Sequence, residues 1–336
     1  MAEQLQITVA DSSQIGEVRR SAVRLAQAAN LTEIQQAEIG IVATELATNV
    51  LRHAKQGRIL LQSWKQDDLN QVEILSIDSG PGMEDIGRCL QDGYSTAGTA
   101  GNGLGAVRRL AREFDVYSRP GGGAVLMARM GPAAQAGNRL SMGAISIPAP
   151  GESLCGDSWS FCGNTEDFSL VMVDGLGHGP AAHDVAVRAV QTFTSTASRP
   201  PAQCLSHIHR ALQGSRGAAI AVTRVDCQQN TIQHAGVGNI SAMVVAPGTA
   251  RGLVSQNGIL GVHHHRIAEL NQPWQEPALL IMHSDGLQSR WRMDDYPGLM
   301  NRHPAVIAGI LYRDFQRGRD DATVLVVPLK TVGTRQ

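Results

Sequence analysis

The sequence predicts an α+β chain of about two domains, and three observations predict it. The chain has 336 residues, more than one core holds at the usual ~100–200 residues per domain. Apolar residues make up 43 % and charged residues 18 %, a globular rather than a disordered balance. Apolar strands and amphipathic helices come in blocks, not in the regular alternation of a βαβ fold. Aromatics are only 4 %, which argues against base-stacking surfaces. With 29 basic and 30 acidic residues the formal charge is −1. No nucleic-acid or membrane partner is expected from that balance. Five scattered cysteines without a CxxC pair argue against a disulfide framework. No leader-like apolar stretch opens the chain, so the expectation is a soluble cytoplasmic protein.

In order along the chain, 5–10 reads as a strand and 15–29 as an amphipathic helix. Thr32 is a candidate N-cap for a second helix over 33–54. Strands follow at 58–64 and 71–77, joined by a polar hairpin loop. A Gly-rich loop, a helix near 104–113 and two closing strands complete residues 1–130. The uncharged small residues of 131–139 read as a linker. The second domain, 140–330, restarts with strands at 140–147 and 168–174. Helices are expected near 180–194 and 201–213, and strands at 218–225, 231–236, 240–246, 278–283 and 323–329.

The 33–54 helix has an unusual polar face. At ~100° per residue, Glu38, Glu45, Asn49 and Arg52 lie within about 60° of one another. Asn49 offers a neutral oxygen suited to Mg²⁺, and Glu45 sits one turn before it as a candidate base. Alone, such a face is equally that of a solvated helix. Further on, an apolar strand ends in Asp78-Ser79-Gly80-Pro81-Gly82, where a carboxylate can accept a hydrogen bond from an exocyclic amine. Gly101-Asn102-Gly103-Leu104-Gly105 then opens a helix, and backbone N–H groups at such a start cradle phosphate.

Taken in that order, these elements resemble the GHKL ATPases, with the two-layer α/β sandwich of the Bergerat ATP-binding fold. The stretch from Asp92 to Ser118 resembles more narrowly the RsbT-like serine/threonine kinases of the anti-sigma and stressosome switch group. The resemblance implies ATP and Mg²⁺, with Asn49 on the metal and Glu45 as base. It puts Asp78, Gly80 and Gly82 at adenine, and Gly101, Gly103 and Gly105 on phosphates. Ser95 and Thr96 would belong to a lid. His53 is read as packing, not as a phospho-acceptor.

The second half carries acidic residues at strand ends. Asp157 follows Gly156. Asp174-Gly175 and Asp285-Gly286 each close an apolar run, and Asp320-Asp321 precedes another. Each Asp-Gly alone is also an ordinary turn. Buried carboxylates together need positive charge, and a set without His or Cys suits Mg²⁺ or Mn²⁺. Two such ions clamp a phosphate and lower the pKa of water to about 7. The segments CGDSW, VDGLGHG, SRGAAIAV, AGVGNI, HSDGL and RDDAT, in this order, resemble the SpoIIE-type PPM phosphatases, RsbX-like, with an α-β-β-α sandwich. The resemblance implies Asp174 bridging two metals, the Gly175 carbonyl on one, and Asp285 and Asp320 on the second. It puts Asp157 beside the first metal and leaves Asp321 either a ligand or a support for one. His178 is a candidate acid for the leaving serine oxygen.

The combined expectation is a kinase module fused to its opposing phosphatase, acting on Ser or Thr of a STAS-domain partner. A homodimer is compatible with the habits of such kinases. Two rivals stay open at this point: a phosphatase with an ATP-sensing domain, and a non-enzymatic switch protein that sequesters a sigma factor or STAS protein.

Overall fold

The computed structural model describes residues 4–66, 69–91, 103–132, 140–264 and 266–331. The chain divides into two compact units, one of residues 2–136 with 301–313, the other of 137–300 with 314–336.

The first unit begins with β1 (Leu5–Val9), α1 (Ser12–Ala28) and α2 (Glu33–Asn49). Both helices start in capping boxes, Asp11 with Gln14 and Thr32 with Gln35, which satisfy N–H groups that a helix start leaves unpaired. A π-helical turn, Val50–Ala54, continues α2. Then come β2 (Gly57–Gln66), β3 (Leu69–Asp78), α3 (Ile86–Cys89), α4 (Gly103–Leu110), β4 (Glu113–Ser118) and β5 (Ala124–Met130). The strands form one antiparallel sheet in the order β1-β2-β3-β5-β4. Ile59, Leu61, Ile74, Leu126 and Ala128 face α1 and α2, packing with Val18, Ala22, Ile39, Val42 and Leu46.

The second unit holds β6 (Gly143–Ile147), β7 (Asp157–Gly163), β8 (Asp167–Gly175), α5 (Pro180–Thr196) and α6 (Pro201–Leu212). Four longer strands follow, β9 (Ala218–Asp226), β10 (Thr231–Val237), β11 (Ser241–Ala246) and β12 (Thr249–Leu253). Short β13 (Gly258–Ile259), β14 (His263–His264) and β15 (Leu270–Pro273) lead to β16 (Ala278–His283). After helix α7 (Pro304–Phe315), β17 (Ala322–Leu329) ends the fold. Two antiparallel five-stranded sheets result, β15-β10-β9-β8-β7 and β12-β11-β16-β17-β6. Helices α5 and α6 cover the first sheet through Val185, Ala189, Phe193, Leu205 and Ile208. The sheets touch across their inner faces, where the Thr223 hydroxyl lies 3.7 Å from the Met282 sulfur. The sequence reading did not include β7, where Trp159 and Phe161 alternate with Ser158, Ser160 and Cys162, yet Ser158 is buried and the two aromatics are only half-buried.

The sequence reading kept 140–330 together, whereas 301–313 group with the first unit. Within that unit, Leu60, Leu75, Ile77, Val125 and Met127 are buried on the sheet face that α1 and α2 do not cover. Residues 304–312 of α7 are buried as well. Gly309 is what lets backbone and sheet approach, since a Cβ there would stand 2.7 Å from Val125 and 3.1 Å from Leu75. Tyr312 donates to Gln6 (2.8 Å) under the Arg58 guanidinium, and the His303 N–H donates to Asp115 (2.5 Å). A sheet covered on both sides explains why β5 is buried at every position. No helix among the described residues is long and apolar enough to cross a membrane.

Candidate functional sites

The end of α2 opens a cavity of about 440 Å³ in the first unit. Its walls include Glu45, Asn49, Asp78, Gly82 and Gly103. Glu45 and Asn49, one helical turn apart, share this wall as their spacing requires. The π-helical turn after Asn49 adds Arg52 and His53 to the lining; such turns recur at functional sites. His53 is exposed, so the sequence reading of it as packing is corrected.

Asp78 ends β3 opposite Gly57 and Ala124. Its carboxylate accepts from the Gly80 N–H at 2.8 Å. Burial raises its pKa against the lowering effect of the Gly80 and Ala124 N–H groups, Arg313 and His53. Gly82 has φ +74°, and a Cβ there would collide with the Arg119 carbonyl. A Cβ on Gly103 would stand 2.5 Å from the Glu45 carboxylate, so the start of α4 lies directly against α2. Gly105 is buried in α4. Gly101, Ser95 and Thr96 lie outside the described residues. The Asn49 side-chain nitrogen is buried without a partner. The orphaned amide nitrogen calls for an acceptor such as a phosphate oxygen, which leaves the amide oxygen for a hard cation; with an acceptor carboxylate and a glycine-floored helix start, this fits a magnesium nucleotide. The sequence did not show Arg313, whose guanidinium donates to the Asp78 carbonyl at 3.1 Å.

In the second unit the acidic strand ends converge from both sheets. Asp157 and Asp174 are register partners at the start of β7 and the end of β8. Asp285 and Asp320-Asp321 flank β16 and β17, which pair His283 with Val324. Asp157 is buried, and the Ser284 and Thr323 hydroxyls from the other sheet donate to it. Its pKa is raised well above the usual value by burial first, then by the charges of Asp174 and Asp321. Asp174 is pushed up to about 7 by burial and by Asp285, Asp320 and Asp321. Asp285 is raised by burial and by Asp320, and accepts from the Asn239 amide at 2.7 Å. Asp321 accepts from the Ala149 N–H at 2.8 Å and is raised chiefly by burial.

Close approach depends on glycine here. A Cβ on Gly156 would stand 2.7 Å from the Asp321 carboxylate, and one on Gly286 would collide with the Asp321 carbonyl. Gly175 packs equally tightly, against Ala182.

Among the described residues no three His, Cys, Asp or Glu side chains are grouped so that they could hold a metal ion as they stand. The electrostatics nevertheless tie all five aspartates together, and Asp157 and Asp321 each keep one buried carboxylate oxygen without a partner. Such a donor set fits hard divalent cations. His178 is exposed after the Gly175 turn, and its Nδ1 lies 2.6 Å from Glu152. Glu152 gave no signal in the sequence, because the pairing joins residues of separate loops.

Comparison with known proteins accounts for both halves. Residues 8–129 match the family described as histidine kinase-like ATPase domain, and residues 164–330 match stage II sporulation protein E (SpoIIE). The serine/threonine-protein kinase RsbT of Bacillus subtilis is 36 % identical over 95 residues, 28 % of this chain and 71 % of RsbT. The phosphoserine phosphatase RsbX of the same organism is 22 % identical over 138 residues, 41 % of this chain and 69 % of RsbX. A chain solved in work on the bacterial stressosome, as a modular system adapted to control secondary messenger signalling, is also similar. It shares 28 % identity at a TM-score of 0.52, over 56 % of this chain and 99 % of its own length. The protein thus belongs to the RsbT-like histidine kinase-like ATPase family, and in one polypeptide fuses that kinase-like domain to a SpoIIE phosphatase domain similar to RsbX.

Proposed function

We propose that the protein is a cytoplasmic partner-switching regulator that both adds and removes phosphate on Ser or Thr of a STAS-domain protein. The observation that carries the reading is the convergence of Asp157, Asp174, Asp285, Asp320 and Asp321 from the edges of two sheets, where burial and the charges of neighbouring carboxylates raise the pKa of Asp157, Asp174 and Asp285. Asp174, the Gly175 carbonyl, Asp285 and Asp320 would hold a pair of Mg²⁺ or Mn²⁺ ions, with Asp157 and Asp321 holding that set in place. Bound there, the ions supply a water acidic enough to attack phosphorus near neutrality and the positive charge to orient the phosphate. The Glu152 carboxylate holds Nδ1 of His178. That leaves Nε2 as the nitrogen to deliver a proton to the departing serine oxygen.

In the first unit, Asn49 would hold Mg²⁺ on the nucleotide and Asp78 would accept from the adenine amine. The N–H groups at the start of α4 would receive phosphate. Glu45 would take the proton of the partner's hydroxyl as its oxygen bonds to the γ-phosphorus and ADP leaves. A phosphate adds about −1.5 to −2 charge to a partner, enough to break or make an interface.

The test mixes the protein with candidate STAS partners, ATP and Mn²⁺ and follows intact mass. Phosphate should reach the partner, Glu45→Ala should stop its transfer, and Asp174→Asn should stop its removal while ATP still binds. A nucleotide that binds without ever giving up its phosphate would replace the kinase with an ATP sensor. Hydrolysis unaffected by Asp174→Asn would overturn the metal assignment.

A further inference from the structure

The two connectors that carry Asp285 and Asp320 also build a second feature. Beyond Asp285 the chain runs back against 315–317. The Gln288 N–H donates to the Phe315 carbonyl at 2.9 Å, and the Arg317 N–H to the Gly286 carbonyl at 2.8 Å. Leu287 and Gln316 bridge between them. This clip floors a cleft of about 560 Å³ lined by Gln288, Ser289, Arg290, Arg317 and Arg319. Gly318, at φ +68°, takes the left-handed turn between two of the arginines, a conformation that a Cβ would resist. All three arginines are exposed. Among the described residues none of their guanidinium groups forms an ion pair. Three unpaired cations in one cleft repel one another and attract anions.

We propose that this arginine cleft is a specificity subsite, which receives acidic side chains flanking the phosphoserine or phosphothreonine of the protein substrate. Its place in the chain supports this, since Arg290 lies five residues after Asp285 and Arg319 immediately precedes Asp320. Arginine suits the task, because its planar fork meets a carboxylate through two N–H groups. The inference rests on the phosphatase reading above and adds the kind of substrate that the site selects. Free phosphate presents the same anionic chemistry, and the test separates the two sources.

Two synthetic phosphoserine peptides serve as probes, identical except that glutamates on both sides of the phosphoserine in one are glutamines in the other. With the full-length protein and Mn²⁺, kcat/KM for the glutamate peptide should exceed that for the glutamine peptide by about fivefold to tenfold, the scale of two or three exposed ion pairs. The difference should lie in KM and shrink as salt rises to ~0.5 M. Arg290→Glu should bring the ratio to about one or below; taking the ratio within each variant cancels any general loss of activity. Equal rates for the two peptides in the wild type, or a ratio untouched by Arg290→Glu, would overturn the proposal. Should Arg290→Glu relieve inhibition by inorganic phosphate and leave the ratio intact, the cleft is a product site and the proposal also fails. If neither peptide is hydrolysed, the phosphatase reading itself falls. Calorimetric affinities for the two peptides then decide separately: tighter binding of the glutamate peptide, lost in Arg290→Glu, still supports the subsite, and equal binding rejects it.

Discussion

Replacing Asp174 by asparagine should stabilise the metal-free protein while removing its response to manganese. The Asp174 carboxyl is pushed from 3.8 to about 7, by burial first and then by Asp285, Asp320 and Asp321. A carboxyl whose folded pKa lies above its unfolded one costs stability once ionised. The cost is absent below the unfolded pKa, grows with pH, and is complete above the folded pKa. About three pKa units at ~1.36 kcal/mol each give roughly 4 kcal/mol near pH 8, and under half of that near pH 5. An asparagine side chain is nearly isosteric with aspartate and carries no charge, so the Asp174→Asn variant escapes this cost. For a unit of this size each kcal/mol moves Tm by about 2–4 °C, which makes a rise of roughly 8–16 °C in chelator near pH 8. The assay is thermal unfolding followed by circular dichroism, with chelator and with Mn²⁺, near pH 8 and near pH 5. The wild type should gain stability from Mn²⁺ by mass action, and the variant should gain almost none. A variant no more stable than wild type in chelator, or a gain of equal size at both pH values, would refute the reasoning.

Three other outcomes are expected. Asn49→Ala should weaken Mg-ATP binding about tenfold or more in calorimetry, with hydrolysis of p-nitrophenyl phosphate unchanged; an unaltered affinity would remove Asn49 from the nucleotide site. Glu73→Ala breaks a buried pair in which Arg129 donates to Glu73 at 2.6 and 3.1 Å beneath Trp64. Urea unfolding should show a loss of about 3 kcal/mol, at the low end for buried pairs because Glu113 also reaches Arg129 at 3.2 Å. His234 is buried, with its Nδ1 on the Thr223 hydroxyl and its pKa lowered to about 4 by burial. An unfolded chain takes up that proton near pH 6.5 and the folded one resists it, so this stability is present at neutral pH and lost as pH falls from about 6.5 toward 4. The loss should reach about 2 kcal/mol near pH 5, and a His234→Gln variant that kept the same acid sensitivity would contradict the assignment.

Much of this was legible in the sequence wherever a local rule decides the structure. The helical spacing of Glu45 and Asn49 puts both on one cavity wall. The Asp-Gly pairs after apolar runs mark strand ends, and Asp157 and Asp174 prove to be register partners. What stayed hidden depends on contacts between distant residues. The α7 sequence PAVIAGILYRDF is apolar, yet nothing in it names Leu75 and Val125 as its neighbours. The Glu152–His178 pair and the arginine cleft join side chains from separate loops, and charge at a loop position does not say what it faces. Two sheet faces explain the nearly unbroken apolar run of β5, whose period alone leaves its surroundings undefined.

Helix α7 also bears on how this polypeptide can be divided. The piece that packs against Leu75 and Val125 is encoded far downstream of the strands it protects. Cutting the gene after residue 136 would therefore yield a fragment with a bare greasy flank, prone to clump. Deleting 301–313 would do the same from the other side. The two activities can be silenced one at a time by point changes, but neither half can be lifted out intact by a single cut.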